Sequence, residues 1–205
     1  AHSIRRYANA AIVPVWVDTD AIRKAPVSAD LRAKYPKYDK IVLMASRLTR
    51  EKNFAVALRA MQSVVAGIPR ALLVIAGSGP EKPSIIRNAE RLGIAANVAL
   101  AGEVSAETLF SYYKTADVYL LTSDYEGYGR TLIEAASAGC PVVSTDVGVA
   151  EEIKGAAIVP VGDADAIAQA LLRQLRSPRV APQLPPMPQK ADHLQLWLKS
   201  FRACQ

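Results

Sequence analysis

Six short, almost uninterrupted apolar runs, at residues 41–45, 71–76, 97–101, 117–122, 141–145 and 156–161, constrain this chain more than anything else in it. A strand with one wet face alternates apolar and polar residues, so runs without polar breaks describe strands covered on both faces. Between them the apolar positions change period. Phe54, Ala57, Leu58, Met61 and Val65 recur at helical spacing, as do Leu109, Tyr112 and Tyr113, and then Ile167, Ala170, Leu171 and Leu175. Strand followed by helix, repeated, predicts a parallel sheet between two helical layers. The fold class is therefore α/β, a doubly wound, Rossmann-like domain over residues 38–176. Ligands of such a sheet lie beyond the carboxyl ends of its strands, so the loops after the apolar runs are where function is to be sought.

The flanks read differently. Residues 1–37 hold one short strand, 11–17, and then polar, proline-containing sequence suited to a connector. Prolines 178, 182, 185, 186 and 188 block both helix and sheet across 177–189, which predicts an extended linker. In residues 190–205, Leu194, Trp197, Leu198 and Phe201 fall at i, i+3, i+4 and i+7 of a last helix. Its apolar face needs a partner, whether this domain, another domain or a second chain.

Composition narrows the function. At 205 residues and 51% hydrophobic, the chain can bury one well-packed core. The net charge of +6 is scattered, without blocks of like sign, and the tyrosines sit in apolar runs. That suits an anionic small ligand or a membrane surface, and excludes the basic stripe expected of a nucleic-acid binder. Cys140 and Cys204 are far apart and His2 and His193 have no partners at ligand spacing, so neither a disulfide framework, a metal site nor a cofactor is expected. The apolar runs are too short to span a bilayer and no signal-peptide core precedes them. A soluble, cytoplasmic chain is expected, with peripheral contact at the inner face of the membrane left open.

Two loops carry chemistry. Glu126-Gly127-Tyr128-Gly129-Arg130-Thr131-Leu132-Ile133-Glu134 follows the fourth run and enters a helix. It sets one carboxylate in a glycine-bearing loop and a second about a turn into the helix, on either side of a helix N-terminus suited to phosphate oxygens. Two carboxylates so placed accept hydrogen bonds from sugar or ribose hydroxyls. The plain alternative is a helix cap and a solvated glutamate. Ser46-Arg47-Leu48-Thr49-Arg50-Glu51-Lys52-Asn53 follows the first run and puts two cations, Arg47 and Lys52, at another strand end. The alternative there is two surface cations beside a helix start.

Taken together, the glutamate pair and the strand-end Arg and Lys resemble the retaining glycosyltransferase family 4, and specifically the C-terminal, donor-binding half of a two-domain GT-B fold. Further matches are Ala76-Gly77-Ser78-Gly79-Pro80, Ala101-Gly102, the stretch from Tyr113 to Asp117, Ala138-Gly139-Cys140-Pro141-Val142-Val143, and the stretch from Asp146 to Glu152. One departure is Val149, where the family often carries a second glycine after Gly148. The resemblance implies that Arg47 and Lys52 stabilise the diphosphate, that Glu126 holds the donor sugar and that Glu134 binds the ribose. It further implies donor contacts from Ser46, Gly77, Ser78, Gly127, Tyr128, Gly129, Arg130, Thr131 and Leu132, with the nucleobase near Leu100 and Gly102. The implied substrate is a UDP- or GDP-sugar, the acceptor a hydroxyl, and the absent partner an N-terminal acceptor domain, without which the 205 residues should bind nucleotide but transfer poorly.

Other classes fare worse or stay open. Gly77 and Gly79 lack the third glycine of a dinucleotide fingerprint, since position 82 is Lys82, and no P-loop run or nucleophile elbow exists. A non-catalytic nucleotide-sugar-binding module, or an epimerase or phosphorylase on the same fold, remains as an alternative.

Overall fold

A computed structural model describes residues 15–187 and 189–203, with side chains described no further than residue 200. Six strands form its centre: β1 (Lys40–Ala45), β2 (Ala71–Ala76), β3 (Val98–Gly102), β4 (Val118–Leu121), β5 (Val142–Thr145) and β6 (Ala157–Val159). All neighbours are parallel, in the order β3-β2-β1-β4-β5-β6. The order reverses between β1 and β4, where a doubly wound sheet opens a crevice above its strand ends. These strands are the six apolar runs, with ends moved by one or two residues. The helices are α1 (Thr19–Lys24), α2 (Leu31–Lys34), α3 (Phe54–Gly67), α4 (Lys82–Arg91), α5 (Ala106–Thr115), α6 (Arg130–Ser137), α7 (Ala164–Arg176) and α8 (Lys190–Ala203).

The sheet is covered on both sides. Val42, Met44, Leu73, Ile75, Leu120 and Val143 pack with Phe54, Leu58, Met61, Ile85, Ile167 and Leu171 from α3, α4 and α7. Their strand neighbours Ile41, Leu43, Leu72, Val74, Tyr119 and Val142 point the other way, to Tyr112, Tyr113, Leu132 and Ile133 of α5 and α6. Each strand therefore sends alternate side chains into two cores, which is why its sequence has no polar break. Fully burying each such Leu, Ile or Val contributes about 1.5–3 kcal/mol.

The flanks depart from the sequence reading. Of the expected strand 11–17, residues 11–14 lie outside the described part and 15–17 form no strand. Two short helices follow instead, each capped by an aspartate: Asp18 accepts from the amide of Ala21 and Asp30 from that of Arg32. Val17, Ile22 and Leu31 are buried in the α5/α6 core, so this segment is part of the domain. Leu31 donates its amide to Thr115 Oγ1 at 3.2 Å and Ser28 to Ser111 Oγ at 3.0 Å.

The proline-rich stretch is extended, yet it is a strap and not a spacer. Gln183 forms an antiparallel bridge with Lys154, at 2.8 and 3.0 Å, and Leu184 and Met187 pack on the core. Arg179 donates to the carbonyls of Tyr113, Lys114 and Gly139, at 3.2, 2.7 and 3.2 Å, so one guanidinium serves the C-terminal ends of both α5 and α6. On α8, Leu194, Leu196 and Leu198 are exposed, and the indole of Trp197 donates to His193. The side chain of Phe201, like Cys204 and His2, lies outside the described residues.

Candidate functional site

The carboxyl ends of β1, β2 and β3 are stitched together by backbone. Ser46 N donates to Ala76 O at 3.1 Å, Leu48 N to Ser78 O at 2.7 Å and Gly77 N to Gly102 O at 2.7 Å. Such close approach excludes side chains. A Cβ on Gly77 would overlap the Ser46 carbonyl oxygen and one on Gly79 that of Leu48, while φ at Gly77 is +134°. The Gly-Ser-Gly turn is thus needed to let two loops meet, whatever it also does for a ligand.

The β1 loop is then tied to the loop after β4. Thr122 Oγ1 donates to Lys52 O at 2.8 Å, Asn53 Nδ2 to Asp124 Oδ1 at 2.7 Å, and Asp124 N to Glu51 O at 2.8 Å. Asn53 adopts a left-handed φ of 51°, turning the chain from the 3-10 turn Arg50–Lys52 into α3. In consequence Lys52 Nζ lies 2.7 Å from Glu126 Oε1, which also accepts from Ser123 Oγ at 2.7 Å. Both side chains are mostly sheltered, 14% and 15% exposed. Arg47 differs: its side chain is 81% exposed and, among the described residues, its ion pair is with Glu51, at 4.0 Å. An ion pair this open holds its cation weakly and leaves it available to an anion.

Glu126 does not cap α6. Gly129 does, at φ 87°, offering no side chain to the first-turn amides of Arg130 and Thr131. Gly148, φ 58°, lets the β5 loop pack against this one, since its Cβ would strike the Tyr128 carbonyl. Val149 donates its amide to that carbonyl at 2.8 Å and is itself 2% exposed, so the valine in place of a second glycine fills the core. Burial, then the nearby Glu152, raises the Tyr128 phenol above its ordinary pKa.

Nor is Glu134 solvated. It is 6% exposed, with Oε1 taken by Arg130 Nε at 2.9 Å and Oε2 by Tyr113 OH at 3.2 Å.

A cavity of about 320 Å³ opens above these strand ends, lined by Ser46, Arg47, Gly77, Ser78, Glu103, Val104, Leu109 and Thr131. Lys52 borders the adjoining cleft between β1 and β4. Gly102 ends β3 beside the cavity, and the Leu100 side chain packs against the α3/α4 core. Gly127, Tyr128, Leu132 and Glu134 are not on the cavity wall, and Leu132 is buried in the α5/α6 core. Sequence reasoning missed Glu103, which hydrogen-bonds Ser78, along with Val104 and Leu109. The signal was available for Glu103 and Val104, which come directly after the carboxyl end of β3, whereas Leu109 lies within α5. A larger cavity, about 520 Å³, lies between residues 16–23 and 184–190, lined by Trp16, Asp18, Arg23 and Lys190. No strand end opens into it, so size alone does not make it the functional site.

Fold and site define a doubly wound α/β domain whose cations, helix N-terminus and buried carboxylate gather at the carboxyl end of the sheet. The chain belongs to the glycosyl transferases group 1 family, which it matches over residues 28–189. It is 32% identical over 182 residues to a GDP-mannose-dependent alpha-(1-6)-phosphatidylinositol monomannoside mannosyltransferase of Mycolicibacterium smegmatis, covering 82% of this chain and 48% of that one. It is 32% identical to an alpha-monoglucosyldiacylglycerol synthase of Streptococcus pneumoniae, over 65% of this chain and 32% of that one. The chain thus spans about half, or less, of the length of these relatives. Among solved structures, it resembles a mutant of S. aureus TarM in complex with fondaparinux, alpha-GlcNAc-glycerol and UDP, with TM-score 0.72, 22% identity and coverage of 91% and 38%. It also resembles the C-terminal domain of a glycosyl transferase group 1 family protein from Francisella tularensis, with TM-score 0.67, 18% identity and coverage of 78% and 88%. These likenesses bear out the Rossmann-like, GT-B architecture read from the sequence.

Proposed function

We propose that this chain is the donor-binding domain of a retaining glycosyltransferase that moves a sugar from a UDP- or GDP-sugar to an acceptor hydroxyl. One observation carries the reading: Lys52, from the β1 loop, is paired at 2.7 Å with Glu126, from the β4 loop, beside the first turn of α6. An anion entering there finds Arg47, Lys52 and the Arg130 and Thr131 amides, while Glu126 is released to receive sugar hydroxyls. As the glycosidic bond breaks, charge grows on the leaving diphosphate, and cations and amides already in place stabilise that charge more than they stabilise the bound donor. The leaving phosphate takes the acceptor proton, so no histidine base is required from this half.

The relatives' names, which refer to a phosphatidylinositol mannoside and to a diacylglycerol, favour an acceptor carried on a lipid and hence peripheral contact at the inner face of a membrane. No described helix is long and apolar enough to cross one. Acceptor binding falls to a second Rossmann-like domain closing over the strand ends, a division that the greater length of the relatives supports.

Calorimetric titration with UDP, GDP and ADP tests the reading. Binding of UDP or GDP that Lys52→Ala weakens in a salt-sensitive manner is expected, with Glu134→Ala affecting nucleotides more than free pyrophosphate. A chain that binds none of the three would exclude the donor-site assignment.

A further inference from the structure

Beneath the cleft lies a pair of buried tyrosines that the proposed chemistry does not use. Tyr113 of α5 and Tyr119 of β4 are 0% and 1% exposed, and their rings meet edge to face with centroids 5.4 Å apart. Their hydroxyls have different partners. Tyr119 donates to the Ala45 carbonyl at the end of β1, at 3.2 Å, whereas Tyr113 donates to Glu134 Oε2. Burial, reinforced by Tyr119 and Glu134, raises the Tyr113 phenol well above its ordinary pKa, so it stays protonated and remains a donor.

Glu134 is held from two sides of unequal permanence. Arg130, whose side chain is 67% exposed, grips Oε1 from the solvent side and can swing away. Tyr113 grips Oε2 from inside the core and has nowhere else to go. A carboxylate about nine-tenths buried pays heavily in desolvation unless its lone pairs are filled, and here the internal bond is the one that fixes its rotamer.

We propose that Tyr113 is a positioning residue for the donor site, holding the Glu134 carboxylate in the orientation that receives the ribose hydroxyls while Arg130 yields its place on Oε1 to the ligand. This rests on the assignment of Glu134 to the ribose. Tyr113 touches no ligand; it acts through Glu134 alone. Tyr119, equally buried, ties the end of β1 through the Ala45 carbonyl and pairs with Thr131 in the first turn of α6, on the phosphate side and not the ribose side.

The test is calorimetry on the 205-residue chain with UDP, GDP and inorganic pyrophosphate, using Tyr113→Phe, Tyr119→Phe and Glu134→Ala, with thermal melting of each. Tyr113→Phe is expected to weaken the nucleotides about three- to thirtyfold, leave pyrophosphate within about twofold, and add nothing further in the Glu134→Ala background. Tyr119→Phe should lower the melting temperature without separating nucleotide from pyrophosphate. If Tyr113→Phe weakens all three ligands alike, changes none, or costs as much in the Glu134→Ala background, the positioning role is overturned and the donor site stands. If the wild-type chain binds neither nucleotide, or Glu134→Ala spares both, the donor-site reading falls and takes this inference with it. Should Tyr113→Phe fail to fold, 3-fluorotyrosine at position 113, nearly isosteric and a stronger donor, should change the ratio of nucleotide to pyrophosphate affinity, and an unchanged ratio overturns the positioning role.

Discussion

The two ends of the sheet use carboxylates in opposite ways. At the amino end, Asp117 is saturated by its own chain: Oδ2 takes the Ile41 amide at 2.7 Å, and Oδ1 takes Arg32 at 2.6 Å with Lys40 at 3.9 Å. At the carboxyl end, Glu126 is held by two side chains, Lys52 and Ser123. The first arrangement locks α2, β1 and β4 together. The second leaves a cation and an acid that an anionic polyhydroxyl ligand can separate. A carboxylate bound to backbone marks structure, and one bound to side chains at a strand end marks a site.

Four substitutions or conditions would break or sharpen this contrast. The largest effect is expected from Gly77→Ala, because no rotamer relieves a Cβ lodged in the Ser46 carbonyl; about 3 kcal/mol or more of stability should be lost, read from the urea midpoint. Asp117→Ala should cost about 2–4 kcal/mol by leaving the Ile41 amide and Arg32 without their acceptor, while the folded fraction still binds nucleotide with unchanged affinity. If binding fell as well, the separation between the two ends would be wrong. Lys52→Ala should show the reverse balance, a loss of about 10- to 100-fold in nucleotide affinity, smaller at high salt, against about 1–2 kcal/mol in stability.

The smallest effect is alkaline. Burial pushes the Cys140 thiol, close to Asp117, from 9.0 up to about 12. The folded chain keeps a proton that the unfolded chain gives up, so this contribution is complete below pH about 9 and is lost as pH rises from there toward 12. At pH 10 the loss should be about 1.4 kcal/mol, and Cys140→Ala should flatten the dependence. An equal slope in both chains would put the alkaline sensitivity elsewhere.

Much of this was legible because the sheet is buried on both faces. Val42 and Leu43 are both apolar although they enter different cores, and that doubling leaves an unmistakable run. The cations and acids were legible because strand ends place them: Lys52 and Glu126 are 74 residues apart, yet each follows a strand that the topology puts side by side. What could not be read was anything set by a single contact. Nothing local announces that Arg179 will reach three carbonyls of two helices, or that Gln183 will bridge Lys154, so the strap looked like a spacer. The burial of Glu134 is likewise a property of α5, which brings Tyr113 across, and not of the motif that contains the glutamate. The helices α1 and α2 are a different case. Asp18 and Asp30 are visible cap residues, but the strand propensity of 11–17 and the proline at 26 outweighed them.

The most direct test is a crystal structure of the chain with UDP or GDP bound. The diphosphate should sit between Arg47, Lys52 and the amides of Arg130 and Thr131, with the Lys52–Glu126 pair opened and the ribose on Glu134. Nucleotide found instead in the larger cavity beside Trp16 and Lys190, with that pair intact, would contradict the account.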